Sequence, residues 1–210
     1  MADNDFHVRG AFQGQGSPGN KTIRVGDDGS QINVSRYQEL ALRGYVFSFT
    51  VAAVTLPVNA GTLASKMGVY NPPNSGVFME IIDVSAHAVV ATTVVDALGL
   101  YYSNGSNATG STFTTAGAAQ NARVGEGRGA QCIPYSAVTH VGTPVLLDLV
   151  GGWGAVTDGG STLAYKEFGQ KRPILLPPST LLAVAMTTAA STGSGITAAI
   201  TWAEIPYYAM

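Results

Sequence analysis

The segment from Pro173 to Pro206, PILLPPSTLLAVAMTTAASTGSGITAAITWAEIP, most constrains how this chain can fold. In the run Thr180–Thr188, Leu182, Val184 and Met186 fall on one face. In the run Ile196–Ile205, Ile196, Ala198, Ile200 and Trp202 fall on one face, and Thr197, Ala199, Thr201 and Ala203 on the other. A period of two is the pattern of a half-buried strand. AASTGSG, between the runs, is rich in turn residues, and Pro177, Pro178 and Pro206 mark strand ends because proline cannot donate to a ladder. The spacing predicts a β-hairpin that closes an all-β sandwich or barrel, with Trp202 in its core.

The rest of the chain supports that class. Strands are predicted over Tyr45–Val58, Lys66–Asn71, Val77–Ala91, Leu98–Ser103, Gln131–Val138, Thr143–Val150 and Leu163–Phe168, with a turn at Pro72-Pro73-Asn74-Ser75-Gly76. About eight strands and no long helix make a sandwich or barrel. Asn104–Gly129 and Gly151–Thr162 read as long loops. In Val77–Ala91, Phe78, Ile82 and Val84 share one face and Val77, Met79 and Ile81 the other. Only one face of a strand points into a core, so Val77, Met79 and Ile81 are expected to form a subunit interface.

Residues 1–43 differ in character. They carry five basic residues (Arg9, Lys21, Arg24, Arg36, Arg43), five acidic ones and no sustained apolar period. Lys21–Val25 and Gln31–Val34 are predicted short strands about a turn at Asp27-Asp28-Gly29, and Ser35–Leu42 one or two helical turns. Extended, such a segment reaches on the order of 130 Å. The expected organisation is an N-terminal arm over 1–43 and a β domain over 44–210. Arg9, Arg24, Arg36, Tyr37 and Arg43 are the candidate contacts of the arm.

Charged residues are 11% of the chain, hydrophobic residues 46%, and 26 positions are glycine. So few charges leave too little polar surface for an isolated domain, which points to burial against other chains. A net charge of −2 does not fit a nucleic-acid binder. No run of about 20 apolar residues would span a membrane. The polar start MADNDFHVRG is unlike a secretory signal, which implies synthesis in the cytoplasm.

No catalytic or metal-binding constellation stands out, and no cofactor is expected. Gly14-Gln15-Gly16-Ser17-Pro18-Gly19 matches the dinucleotide fingerprint literally but lacks the flanking strand and helix that a pyrophosphate site requires. Cys132 and His140 form a thiol and a base without a third group. Asp27-Asp28-Gly29 and Asp158-Gly159-Gly160 are turn sequences without the alternating ligands of a calcium loop. The strand-borne acids Glu80, Asp83, Asp148 and Glu204 are expected beside arginines at subunit contacts. Trp153, Tyr207 and Tyr208 are candidate exposed interface aromatics.

Several segments together carry a resemblance: Gly44-Tyr45-Val46-Phe47-Ser48, Val69–Gly76 (VYNPPNSG) leading into Val77–Val84, and Leu175–Pro178, Leu181–Met186 and Ala198–Pro206. Over roughly residues 44–206 the chain resembles capsid decoration (cement) proteins of tailed bacteriophages. That resemblance implies a jelly roll similar in topology to the tumour-necrosis-factor family, commonly trimeric, without catalytic residues. It implies a virion protein on the capsid surface, with the major capsid protein and further copies of itself as partners. The alternative is a tail or fibre component whose loops, Trp153 and 104–129 among them, bind a host glycan or another structural protein.

Overall fold

The computed structural model describes residues 24–25, 31–32, 35–54, 64–65, 67–88, 96–125, 127–153, 163–168, 172–187 and 196–207. The chain divides into two compact units, residues 1–39 and 40–210. In the first unit, β1 (Arg24–Val25) pairs antiparallel with β2 (Gln31–Ile32), as the short apolar runs predict. The turn at 27–29, the glycine motif at 14–19 and Arg9 lie outside the described residues.

Helix α1 (Arg36–Leu42) is set by its two ends. Ser35 Oγ accepts from the Gln38 N–H at 3.2 Å while Gln38 Oε1 accepts from the Ser35 N–H at 2.9 Å, a reciprocal capping box. At the other end Gly44 sits at φ 73°, so Tyr45 N–H reaches Leu40 O and Gly44 N–H reaches Ala41 O. This stop needs a left-handed residue, which glycine supplies without strain.

Residues 40–210 form a sandwich of two antiparallel sheets with a jelly-roll arrangement. The first sheet runs β12 (Leu163–Glu167), β6 (Val77–Ala88), β15 (Ile196–Pro206), β3 (Val46–Val54), β9 (Gln120–Asn121), with β13 (Ile174–Leu176) also on β6. The second runs β11 (Val145–Trp153), β7 (Asp96–Asn104), β14 (Thr180–Met186), β5 (Gly68–Asn71), β10 (Ile133–Thr139), β4 (Ala64–Ser65), with β8 (Thr112–Ala116) also on β10. The antiparallel pairs β3–β15, β5–β14, β6–β12 and β7–β11 are one long ribbon, rolled so that alternate pairs lie in opposite sheets. That is the double Greek key of a jelly roll.

The predicted C-terminal hairpin is therefore corrected. Both runs are strands, but β14 pairs with β5 and β7, and β15 with β3 and β6. All seven residues of β14 are buried, so it needs neighbours on both edges and cover on both faces. A two-stranded hairpin cannot provide that cover; a central place in a sheet can. The connection, residues 188–195, lies outside the described residues.

A second correction concerns β6. Val77, Met79 and Ile81 are buried in the core between the sheets and do not form an outward face. The register against β15 shifts between Ile81↔Trp202 and Asp83↔Thr201, leaving Ile82 as the extra residue of a β-bulge. Its carbonyl accepts the Phe168 N–H instead. One extra residue inverts the alternation, so Val84 and Ala86 join Val77, Met79 and Ile81 on the core face.

The segment 104–129, predicted to be a loop, holds structure. It contains α2 (Gly105–Thr109), β8 and β9, and leads into β10. β8 and β10 extend the second sheet beyond β5, and β9 extends the first beyond β3. This insertion lies along the β3/β5 side of the sandwich.

Trp202 is fully buried and stacks on Phe47 with ring centroids 5.9 Å apart. Trp202→Ala is expected to cost about 3–5 kcal/mol of unfolding free energy, measured by chemical denaturation.

Candidate interaction surface

Three polar clusters show how this chain spends its few charges. The first fixes the insertion. Glu204, on the core-facing side of β15, is fully buried. Its carboxylate accepts from the Gln131 and Cys132 N–H groups, each at 2.8 Å, and from Arg128 Nη2 at 3.1 Å. The Arg128 guanidinium lies 4.3 Å from the Tyr45 ring centroid. Asn121 adds a second tie, donating from Nδ2 to Gly44 O at 2.9 Å and Arg128 O at 3.0 Å. Burial, and then the Glu204 charge, push the Cys132 thiol well above its ordinary pKa. A thiol held protonated this way is a packing group rather than a nucleophile.

The second cluster holds His140. Cys132 and His140 flank opposite ends of β10, about 26 Å of extended chain apart, so they form no dyad. His140 instead sits 2.6 Å from Ser103 Oγ through Nδ1, and burial lowers its pKa to about 4. Among the described residues nothing partners His140 Nε2, and both residues are buried, so these residues show neither the orienting third member nor the access of a hydrolytic triad.

The third cluster joins the sheets on the other side. Lys166 Nζ on β12 donates to Asp148 Oδ1 and to Leu149 O of β11, each at 2.8 Å. Arg172 Nη1 approaches Asp148 Oδ2 at 3.7 Å. Burial raises the Asp148 pKa, but the hydrogen bonds from Lys166 and the Leu149 N–H, with the charges of Lys166 and Arg172, outweigh it and hold the carboxyl below its usual value. Asp148 and Glu204 thus pair with cations of their own chain, where contacts between subunits were expected. Glu80 is fully buried, and Asp83 accepts from Thr201 Oγ1 at 3.0 Å.

Around this third cluster the sandwich presents apolar side chains to solvent. Among the described residues, β11 ends the second sheet, and β12 and β13 together end the first. Leu146 and Leu149 on β11 are 45% and 48% exposed, and Val145, Tyr165 and Leu175 are comparably open. Between β11 and β13 lies a groove of about 330 Å³ lined by Tyr102, Leu147, Ile174, Leu176 and Thr180. It adjoins a smaller recess that Asp148 and Arg172 help to line.

Arg36 and Tyr37 open α1, Arg43 is exposed just after it, and Arg24 lies on β1. Trp153 ends β11, paired with Asp96, and Tyr207 lies edge-on to Phe78 with centroids 4.8 Å apart. Tyr208, like the Asp158-Gly159-Gly160 turn, lies outside the described residues. The exposed leucines of TPVLLDLV were the missed signal, because that strand is apolar on both faces and ends its sheet. Among the described residues no helix is long and apolar enough to cross a membrane, and no group of three or more His, Cys, Asp or Glu could hold a metal ion.

No protein-family model matches the chain, and no curated protein matches it. Among solved structures, "Structure of infectious bursal disease virus Gt strain" aligns at 14% identity and a TM-score of 0.15 over 89% of this chain. The alignment spans 45% of that structure's chain, and so low a TM-score carries no argument about fold or function.

Two outcomes follow from the polar clusters. Glu204→Ala strands the buried Cys132 N–H, the part-buried Gln131 N–H and an arginine, and is expected to cost about 2–5 kcal/mol by denaturation. His140 is neutral when folded down to about pH 4, whereas in the unfolded chain it protonates below its ordinary value of 6.5. Its contribution is therefore fully present above pH 6.5 and is lost as pH falls toward 4, by on the order of 3 kcal/mol. His140→Gln should flatten that part of the stability profile; an unchanged slope would contradict this account.

Proposed function

We propose that this protein is a virion structural component that decorates and stabilises a bacteriophage capsid as a trimer, bound to major capsid protein subunits. The observation that carries the reading is the apolar side formed by β11, β12 and β13 on a jelly roll with 11% charged residues. Val145, Leu146, Leu149, Tyr165 and Leu175 leave an isolated domain with apolar surface that association would cover. The clusters of buried polar groups among the described residues hold segments of the fold together. The resemblance noted above points the same way, and residues 1–39 supply a separate unit for anchoring.

Cementing then works by linkage. A protein that binds only the assembled lattice stabilises it, and several contacts per trimer multiply the effect.

Quantitative mass spectrometry of purified particles tests this reading. On the order of hundreds of copies per particle is the expected result, since a lattice repeats each site many times. About a dozen copies would assign the chain to the tail or fibres, and absence from particles would overturn both readings. Light scattering on the purified protein should give a trimer.

A further inference from the structure

We propose that the groove between β11 and β13 is a docking site for an extended acidic peptide segment of a partner protein, with one large apolar side chain seated between the two sheets. This rests on the structural role above only for the partner's identity, which would be the capsid protein; the site itself is argued from its own chemistry.

Three observations build it. β13 pairs with β6 alone among the described residues, so its other edge is available for an added strand. Pro173 and Pro177 bracket β13 and limit such pairing to a short stretch. The apolar walls, Tyr102, Leu147, Ile174 and Leu176, lead to the buried Thr180, whose hydroxyl has no hydrogen-bond partner among the described residues. About 330 Å³ is at the small end for a ligand site and suits one anchoring side chain. This is strand addition, in which main-chain bonds give affinity and a pocket reads alternate side chains.

Charge selects the occupant. In the recess beside the groove Asp148 faces two cations, Lys166 and Arg172, so these three groups sum to one positive charge. The Arg172 side chain is 75% exposed and projects from the recess that adjoins the groove. An acidic residue next to the apolar anchor complements it, whereas a basic segment is repelled.

A displayed library of random 12-residue peptides, panned against the full chain, tests the site. Enriched peptides are expected to carry a large apolar residue within two positions of Asp or Glu. Arg172→Ala should weaken them about three- to fivefold, as loss of an exposed ion pair does. Arg172→Glu should weaken them further and be rescued by exchanging the peptide acid for lysine. Leu175→Ser, at an exposed position, is the second variant and should weaken binding while circular dichroism stays unchanged. No enrichment, or enriched peptides indifferent to Arg172→Glu and Leu175→Ser, would overturn the proposal. So would loss of self-association in those variants without any effect on peptides, which would make a second copy the occupant. Particle copy number is unaffected by these outcomes, so the docking site and the virion role fail separately.

Discussion

Everything in the β domain depends on β14 and β15 taking the centres of opposite sheets. β14 is buried at every position, and β15 carries Ala198, Ile200 and Trp202 into the core. A strand buried on both faces and paired on both edges gains the most apolar burial per residue, and it also tolerates the fewest alternatives. Once these two strands are central, β5 and β7 must flank the first, and β3 and β6 the second. The remaining strands fall to the edges. The roll of the ribbon follows from giving two interior strands, near in sequence, separate sheets to fill.

The elements were largely legible in the sequence, and their partners were not. Alternation in Ile196–Ile205 correctly placed Trp202 in the core, because an amphipathic period reports a buried face whatever lies beside the strand. Pairing is a non-local property, and the turn-rich AASTGSG segment suggested an adjacency that the topology does not use. In β6 a single bulged residue, Ile82, defeated the alternation rule. Before the bulge Val77, Met79 and Ile81 face the core; after it Val84 and Ala86 do. Apolar residues on both sides of the naive pattern were therefore one core face interrupted, where a core face and an interface had been inferred. No composition signal separates these cases. The segment 104–129 reads as a loop for another reason: its small Gly, Ser, Thr and Ala side chains give weak periodicity. Its order comes from the pairing of β9 with β3 and of β8 with β10, and from the contacts of Glu204 with Arg128 and of Asn121 with Gly44.

Low charge content also has an internal explanation. Several of the chain's ionic groups are committed to holding segments together: Glu204 with Arg128 at the insertion, Asp148 with Lys166 and Arg172 across the sheets. A buried carboxylate that accepts two backbone N–H groups fixes a loop in a way an apolar residue could not, since those donors would otherwise be stranded. The two carboxylates so used, Glu204 and Asp148, are largely withdrawn from the surface, while Arg172 stays exposed beside the apolar β11/β12/β13 side. Its candidate interface residues were hidden in the sequence because Leu146 and Leu149 look like core positions until the strand is known to lie at an edge.

That edge is also guarded against uncontrolled growth. A bare edge strand with apolar side chains invites endless pairing with copies of itself. β11 carries two register irregularities, between Leu146 and Asp148 and between Leu149 and Gly151, and the carbonyl of Leu149 is already taken by Lys166. Bulges break the regular ladder of donors and acceptors that a further strand would need. The Asp148 cluster ties β11 to β12, and so joins the rims of the two sheets. Association on this side must then proceed through side chains of defined shape, or through the short β13 edge that Pro173 and Pro177 delimit. A contact of this kind does not use the open-ended ladder by which bare edges add strand after strand. This side of the sandwich thus combines exposed apolar side chains with a ladder that a further strand cannot regularly extend.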